Sequence, residues 1–153
     1  MTIPMSETRS ILVVDDAPEV CELVKKVLAR AGYDVQCAGT GEEGLELLKK
    51  QPVDLLIVDK NLPRMHGGEV ITEARRMLPQ IAVILITAFP EPFSLPPERL
   101  DGYLAKPFKS IKVIEEAVAA ALEASLAARR RWELRDRLNQ VVAELRPGAK
   151  KRA

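Results

Sequence analysis

Three acids, a hydroxyl and an amine stand at the ends of apolar runs in this 153-residue chain. Asp15 and Asp16 close "ILVVDD", Asp59 closes "DLLIVD", Thr87 closes "ILIT" and Lys106 follows "GYLA". Brought together, three carboxylates repel one another, so at neutral pH such a cluster calls for a cation or a proton. Mg²⁺ meets that demand: it prefers oxygen donors in octahedral array and keeps several waters, which suits two or three acids, a main-chain carbonyl and a phosphate oxygen. No His or Cys cluster competes for a softer metal. Cys21 and Cys37 sit in apolar patterns without ligand spacing and read as buried free thiols, and His66, the only histidine, reads as an exposed loop residue. A carboxylate is ionised at pH 7, so Asp59 could attack a phosphoryl group without a general base. Lys106 and Mg²⁺ would neutralise phosphoryl oxygens from two sides, with the Thr87 hydroxyl donating to a third.

Those residues need strands to carry them. "SILVVDD" is a short apolar run ending in two acids, as expected of a buried parallel strand whose carboxyl end faces solvent. From Pro18 to Ala31 the apolar positions 20, 23, 24, 27 and 28 recur at helical spacing, with proline early and Gly32 just past the end. The alternation repeats: "DVQCAG" then "TGEEGLELLKKQ", "VDLLIVD" then "GGEVITEARRML", "IAVILITA" then a proline-rich segment, and "GYLAKPF" then a helix from about Ser110. Strands alternating with helices at this spacing imply right-handed crossovers and a doubly wound α/β fold whose five-stranded parallel sheet is covered on both faces. Ligands bind at the carboxyl ends of such strands, where the five residues above stand.

The segments "ILVVDD", "DLLIVDKNLPRMHG", "ILITA" and "YLAKPF" resemble the receiver domain of two-component response regulators. The acid pair, an Asp followed by Leu, Pro and Gly at offsets +3, +4 and +8, then Thr-Ala and Lys-Pro, all occur in the family's order. The resemblance covers residues 9–124 and implies a flavodoxin-like sheet of order 2-1-3-4-5. It further implies that Asp59 takes a phosphoryl group from a sensor histidine kinase or phosphotransfer protein, a Mg²⁺-dependent step followed by slow self-dephosphorylation rather than enzymatic turnover. Asp15, Asp16, Asp59 and the backbone carbonyl of Asn61 would hold Mg²⁺, Lys106 would pair with the phosphoryl oxygen, and Thr87 with Tyr103 would carry the switch. A cis Lys106-Pro107 bond is also implied. The chain departs from the family between Thr87 and Lys106, where "PEPFSLPPE" replaces most of the fourth helix; there Phe89 could shield the phosphoryl group from water.

Each of these residues alone has an ordinary role: Asp15 or Asp16 as a helix cap, Thr87 as a strand-end hydroxyl, Lys106 as a solvated amine, Tyr103 as core filler. Their order and spacing together favour function. Two rival chemistries are weaker. Gly39, Gly41 and Gly44 spell GxGxxG, but after the second strand, with Glu42 and Glu43 at the helix end that would hold pyrophosphate. A phosphohydrolase with Asp15 as nucleophile would want a second acid where Ala17 stands.

Composition bounds the remainder. The 47% apolar content fills a core, no run of about 18 apolar residues suggests a membrane span, and the N-terminus lacks a signal pattern, so a cytoplasmic protein is expected. Residues 1–128 carry 14 Lys+Arg against 19 Asp+Glu, while residues 129–153 carry 9 against 3. From Ser110 to Arg146 there is no Gly or Pro, which predicts one long helix whose basic extension, residues 125–153, forms a helical hairpin or short coiled coil. Leu134, Leu138, Val141 and Leu145 keep 3,4 spacing, with "RRRW" interrupting the seam before them. The expected output is protein contact, a homodimer or a docked partner, in place of a DNA-binding domain. Phosphorylation-independent association is the alternative, and non-specific nucleic-acid binding is disfavoured because Trp132 is the one aromatic ring of the tail.

Overall fold

The computed structural model describes residues 8–88 and 100–146. Those residues form β1 (Ser10–Val14), α1 (Pro18–Arg30), β2 (Asp34–Ala38), α2 (Gly41–Lys50), β3 (Leu55–Asp59), α3 (Gly67–Met77), β4 (Ala82–Thr87), β5 (Gly102–Ala105) and α4 (Ile111–Leu145). All five strands pair in parallel, in the order β2-β1-β3-β4-β5. The doubly wound sheet expected from the alternation is therefore present. The proline-rich segment and Phe89 lie outside the described residues.

Because side chains alternate along a strand, each central strand feeds two cores. Ile11, Val13, Ile57 and Ile84 pack toward α1 and α4, against Val24, Leu28, Ile114 and Val118. Leu12, Val14, Leu56 and Val58 pack toward α2 and α3, against Leu48, Val70 and Ala74. Every residue of β3 and β4 is buried, which explains why those runs read as continuous apolar stretches without alternation. Helix ends follow local chemistry. Pro18 opens α1, Gly32 at φ +97° follows its end, and the Thr40 and Ser110 hydroxyls cap α2 and α4 by accepting from Glu43 N and Val113 N.

The two cysteines behave as packing groups. Cys21 Sγ donates to the Asp15 carbonyl at 3.5 Å, and burial foremost pushes its thiol up to about 12. Burial also raises Cys37, although this residue is only half-buried rather than interior as its pattern suggested. Both shifts favour the neutral thiol over the nucleophilic thiolate.

Helix α4 runs 35 residues, roughly 52 Å at 1.5 Å per residue. It continues through "RRRW" without a break, so the alternative of a helical hairpin is corrected: helix-favouring Ala, Leu, Arg and Glu leave no turn residue to reverse the chain. Its first part buries Ile114, Val118, Ala121 and Leu122. Ser125 Oγ then donates to the Gln80 carbonyl at 3.2 Å and Arg129 Nε to Gln80 Oε1 at 3.1 Å. From Ala127 to Arg146 every residue is exposed.

If apolar burial rather than the Gln80 contacts holds α4 to the sheet, Ile114→Ala should cost about 2–5 kcal/mol and Arg129→Ala no more than about 0.5 kcal/mol. Urea unfolding monitored by circular dichroism compares them. Equal losses would place the anchor in the polar contacts.

Candidate functional site

The chain passes from β1 to β2 on one side and then places β3 on the other, so the strand order reverses between β1 and β3. Where it reverses, the carboxyl ends of two adjacent strands leave a crevice. Asp15 follows β1 and Asp59 ends β3 at that point. Carboxylate oxygens of Asp15, Asp16 and Asp59 lie within 4.8 Å of one another. Asp15 is 1% and Asp59 6% exposed, whereas Asp16 faces solvent. Burial of Asp15 departs from the expectation of a solvent-facing strand end.

Lys106 reaches this crevice from the loop after β5. Its ammonium lies 2.8 Å from Asp15 Oδ2 and 3.2 Å from Asp59 Oδ2, while its backbone N–H donates to the Thr87 carbonyl at 2.8 Å. The Lys106-Pro107 bond is cis. The second oxygens are held by the main chain: Ala17 N–H donates to Asp15 Oδ1 at 2.9 Å and Asn61 N–H to Asp59 Oδ1 at 3.2 Å. Thr87 is 1% exposed at the end of β4, opposite Ala105 in the β4–β5 register. Tyr103, two residues back along β5 on the same face, is 39% exposed, so it is a surface ring rather than core filler.

The loop between Asp59 and α3 is shaped by "NLPRMHG". Met65 N–H donates to the Pro63 carbonyl at 2.7 Å across Arg64, whose φ of 66° is a left-handed γ-turn conformation that a non-glycine residue rarely adopts. The turn brings Gly67 back under Asp59, where its N–H donates to the Lys60 carbonyl at 3.0 Å. A Cβ at Gly67 would run into the Asp59 carbonyl oxygen and lie 3.0 Å from Lys60 Cα. Sequence reading placed this glycine only as an offset in a pattern; its reason is the close approach of two backbones. His66 is exposed at the start of α3 and makes no side-chain cap, in line with its reading as a loop residue.

Electrostatics at the crevice are dominated by crowding. Burial, then the Asp15 charge, pushes the Asp59 carboxyl up, against the lowering effects of the Asn61 N–H and Lys106. Burial alone would lower Lys106, but Asp15 and Asp59 outweigh it and hold the amine above its ordinary value. Three carboxylates and one ammonium leave a formal charge of −2 in one place. Asp15 Oδ2 is buried and has no aligned hydrogen bond, although the Lys106 ammonium is near it, so it retains lone-pair capacity. An all-oxygen donor set and a charge of −2 fit a hard divalent cation.

The GxGxxG stretch does other work. Glu43 Oε2 accepts from Gly39 N–H at 3.3 Å and Thr40 Oγ1 accepts from Glu43 N–H, so side chains occupy the donors that pyrophosphate would need. A Cβ on Gly41 would come within 2.7 Å of Val70, and one on Gly44 within 2.7 Å of Val14. These glycines let α2 pack closely on α3 and β1.

Comparison with known proteins agrees with this geometry. The model of the response regulator receiver domain matches residues 11–119. The alkaline phosphatase synthesis transcriptional regulatory protein PhoP of Bacillus subtilis is 34% identical over 123 residues, 78% of this chain and 51% of that protein. Transcriptional regulatory protein GlrR of Escherichia coli is 32% identical over 80% of this chain and 28% of its own length. The chain thus spans about half or less of these two relatives. Among solved structures, chemotaxis protein CheY4 of Vibrio cholerae superposes with a TM-score of 0.69 at 26% identity, covering 74% of this chain and 98% of that one. Response regulator TrrA of Thermotoga maritima, solved in complex with Mg²⁺-BeF, gives a TM-score of 0.66 at 33% identity, over 74% of this chain and 99% of that one.

Two outcomes follow from the crowding. Asp59 binds its proton more readily folded than unfolded, so native stability falls as pH rises from the unfolded value of 3.8 through the raised folded one, and the deficit persists above it. With chelator present, Asp59→Asn should therefore unfold at higher urea than the parent at pH 7, and the difference should shrink on acidification below that window. A parent more stable than the variant at pH 7 would contradict the crowding. Separately, Gly67→Ala should destabilise by about 1–3 kcal/mol, because the obstructing atoms are backbone. An unchanged urea midpoint would show that the loop can yield.

Proposed function

Because the chain belongs to the response regulator receiver-domain family, we propose that Asp59 is its phosphoacceptor. A phosphohistidine of a sensor kinase or phosphotransfer protein is the donor. The observation that carries this reading is the buried Asp59 carboxylate at the strand-order reversal, with the Lys106 ammonium 3.2 Å from one oxygen and two further acids beside it. An Asp59 oxygen attacks phosphorus, the P–N bond breaks, and the imidazole leaves with a proton. Asp59 needs no base, since its carboxylate is ionised at pH 7. Asn61 N–H fixes the orientation of that carboxylate through its other oxygen.

Asp15, Asp16 and Asp59, with the Asn61 carbonyl, are the residues that would hold Mg²⁺, which when bound neutralises charge on phosphoryl oxygens. Lys106, kept protonated by its two acidic neighbours, neutralises a further oxygen. Thr87 donates its hydroxyl to the phosphoryl group, and Tyr103 on the same face of β5 reports the change at the surface. The phosphoryl group is then lost slowly to water, so the chain acts as a signalling module of the cytoplasm rather than a turnover enzyme. Residues 9–124 carry this chemistry, and residues 125–153 are the basic extension that follows it. Among the described residues, no helix is long and apolar enough to cross a membrane.

Incubation with acetyl phosphate and Mg²⁺, followed by intact mass measurement, tests the assignment. The parent should gain one phosphoryl group, Asp59→Asn none, and Asp16→Asn should need roughly tenfold more Mg²⁺ for half-maximal labelling. Undiminished labelling of Asp59→Asn would overturn the site.

A further inference from the structure

Beyond Ala127 the exposed half of α4 carries an apolar seam flanked mainly by charged residues, with Trp132 and Val142 as further exposed apolar side chains. Leu134, Leu138, Val141 and Leu145 are 58%, 57%, 48% and 76% exposed. Their spacing of four, three and four residues places them at alternate d and a positions of a heptad. The neighbours of that seam decide which occupant covers it. Arg130, Arg137 and Glu144 fall at g, Arg135 and Val142 at e, and Arg131 at the a position just before Leu134. Neither Arg137 nor Glu144 has an ion pair within the described residues.

A second copy in parallel orientation would set Arg131 against Arg131 in the seam and Arg130 against Arg135 along both flanks. Those like charges count against it. Turned antiparallel, the same helix complements itself in one register. Leu134 then faces Leu145 of the second copy and Leu138 faces its Val141, which by symmetry gives four apolar layers. In that register g residues meet g residues, so Arg137 faces Glu144 of the second copy twice over. Arg135 lies beside Val142, where its aliphatic stem covers the seam. Sliding by one heptad breaks the match: one direction puts Arg131 opposite Val141 and Arg137 opposite Arg137, and the other retains only two apolar layers.

We propose that α4 is the interface for a second copy of this chain, paired antiparallel through Leu134, Leu138, Val141 and Leu145 with reciprocal Arg137–Glu144 contacts. The midpoint of the seam falls between Asn139 and Gln140, about 14 residues or roughly 20 Å from the last partly buried residue, Leu126. The two receivers are held apart, with their phosphoryl crevices at the outer ends. The interface is small, so its affinity is expected near the micromolar range. The proposal is independent of the role of Asp59.

Sedimentation equilibrium of the full chain over roughly 1–200 micromolar reads the assembly. Arg137→Glu and Glu144→Arg should each weaken dimerisation about tenfold or more, since each sets two like-charge contacts in place of two attractive ones. An equimolar mixture of the two variants should restore it as a heterodimer. One chain of that pair is acidic at both positions and the other basic at both, so each of the two reciprocal contacts again joins opposite charges. Both positions are exposed helix surface, and circular dichroism confirms that helix content is kept. A monomeric parent at about 200 micromolar overturns the proposal. So does a dimer indifferent to both reversals, or one tightened by Arg130→Glu, which is the signature of the parallel pair.

Discussion

One ammonium facing two buried carboxylates is the contact on which this structure turns. Unit charges about 4 Å apart at an effective dielectric constant of about 20 interact by roughly 4 kcal/mol, so Asp15 and Asp59 could not both stay ionised and buried without Lys106. Meeting that requirement dictates the topology around it. The acids must come from adjacent strands, which the reversal between β1 and β3 supplies. The cation must come from elsewhere, because a third charge on either strand would disturb the apolar layers beneath. β5 lies two strands from β3, about 10 Å at the usual spacing. Only a long side chain bridges that gap, and the Lys106 N–H on the Thr87 carbonyl pins the point from which it reaches.

The pairing is nonetheless incomplete. Three acids against one amine leave a formal charge of −2. Such a site is stabilised by whatever supplies a divalent positive charge. Cation binding and full ionisation of the cluster are therefore coupled through simple electrostatics. Cys21 and Ala17 complete the arrangement from beneath: the thiol donates to the Asp15 carbonyl and the Ala17 N–H holds Asp15 Oδ1. Asp15 is thereby fixed through its carbonyl and Oδ1, which leaves Oδ2 to face Lys106.

Much of this was legible in the sequence because acids interrupt long apolar runs in only a few places. Asp15, Asp59 and Thr87 mark the ends of strands whose interiors contain nothing polar, so strand ends and site residues were found together. Less legible was anything set by three-dimensional approach. The spacing of Gly67 says nothing of the Asp59 carbonyl it lies against, and the positive φ of Arg64 falls on a residue type that gives no warning. Tandem acids look equivalent in sequence, yet Asp15 is buried and Asp16 exposed, since Asp15 leaves β1 toward the crevice while Asp16 opens outward. A charged interruption suggested a hairpin in the tail, but charge alone does not turn a helix when Gly and Pro are absent.

The exposed half of α4 and the crevice are joined through a single strand. In a parallel α/β fold the covering helices run antiparallel to the strands, so α4 starts near the carboxyl edge and leaves at the amino edge. Its exposed half therefore points away from Asp59, and no direct contact links the two. What they share is β5. Lys106 follows that strand immediately, Thr87 pairs with Ala105 on it, and Leu104 just before Ala105 is buried in the same cluster as Ile114 and Val118 of α4. β5 is an edge strand of four residues, the shortest in the sheet. Leu104 thus packs the strand that precedes Lys106 onto the buried part of α4, in a close-packed cluster that ties the two elements together.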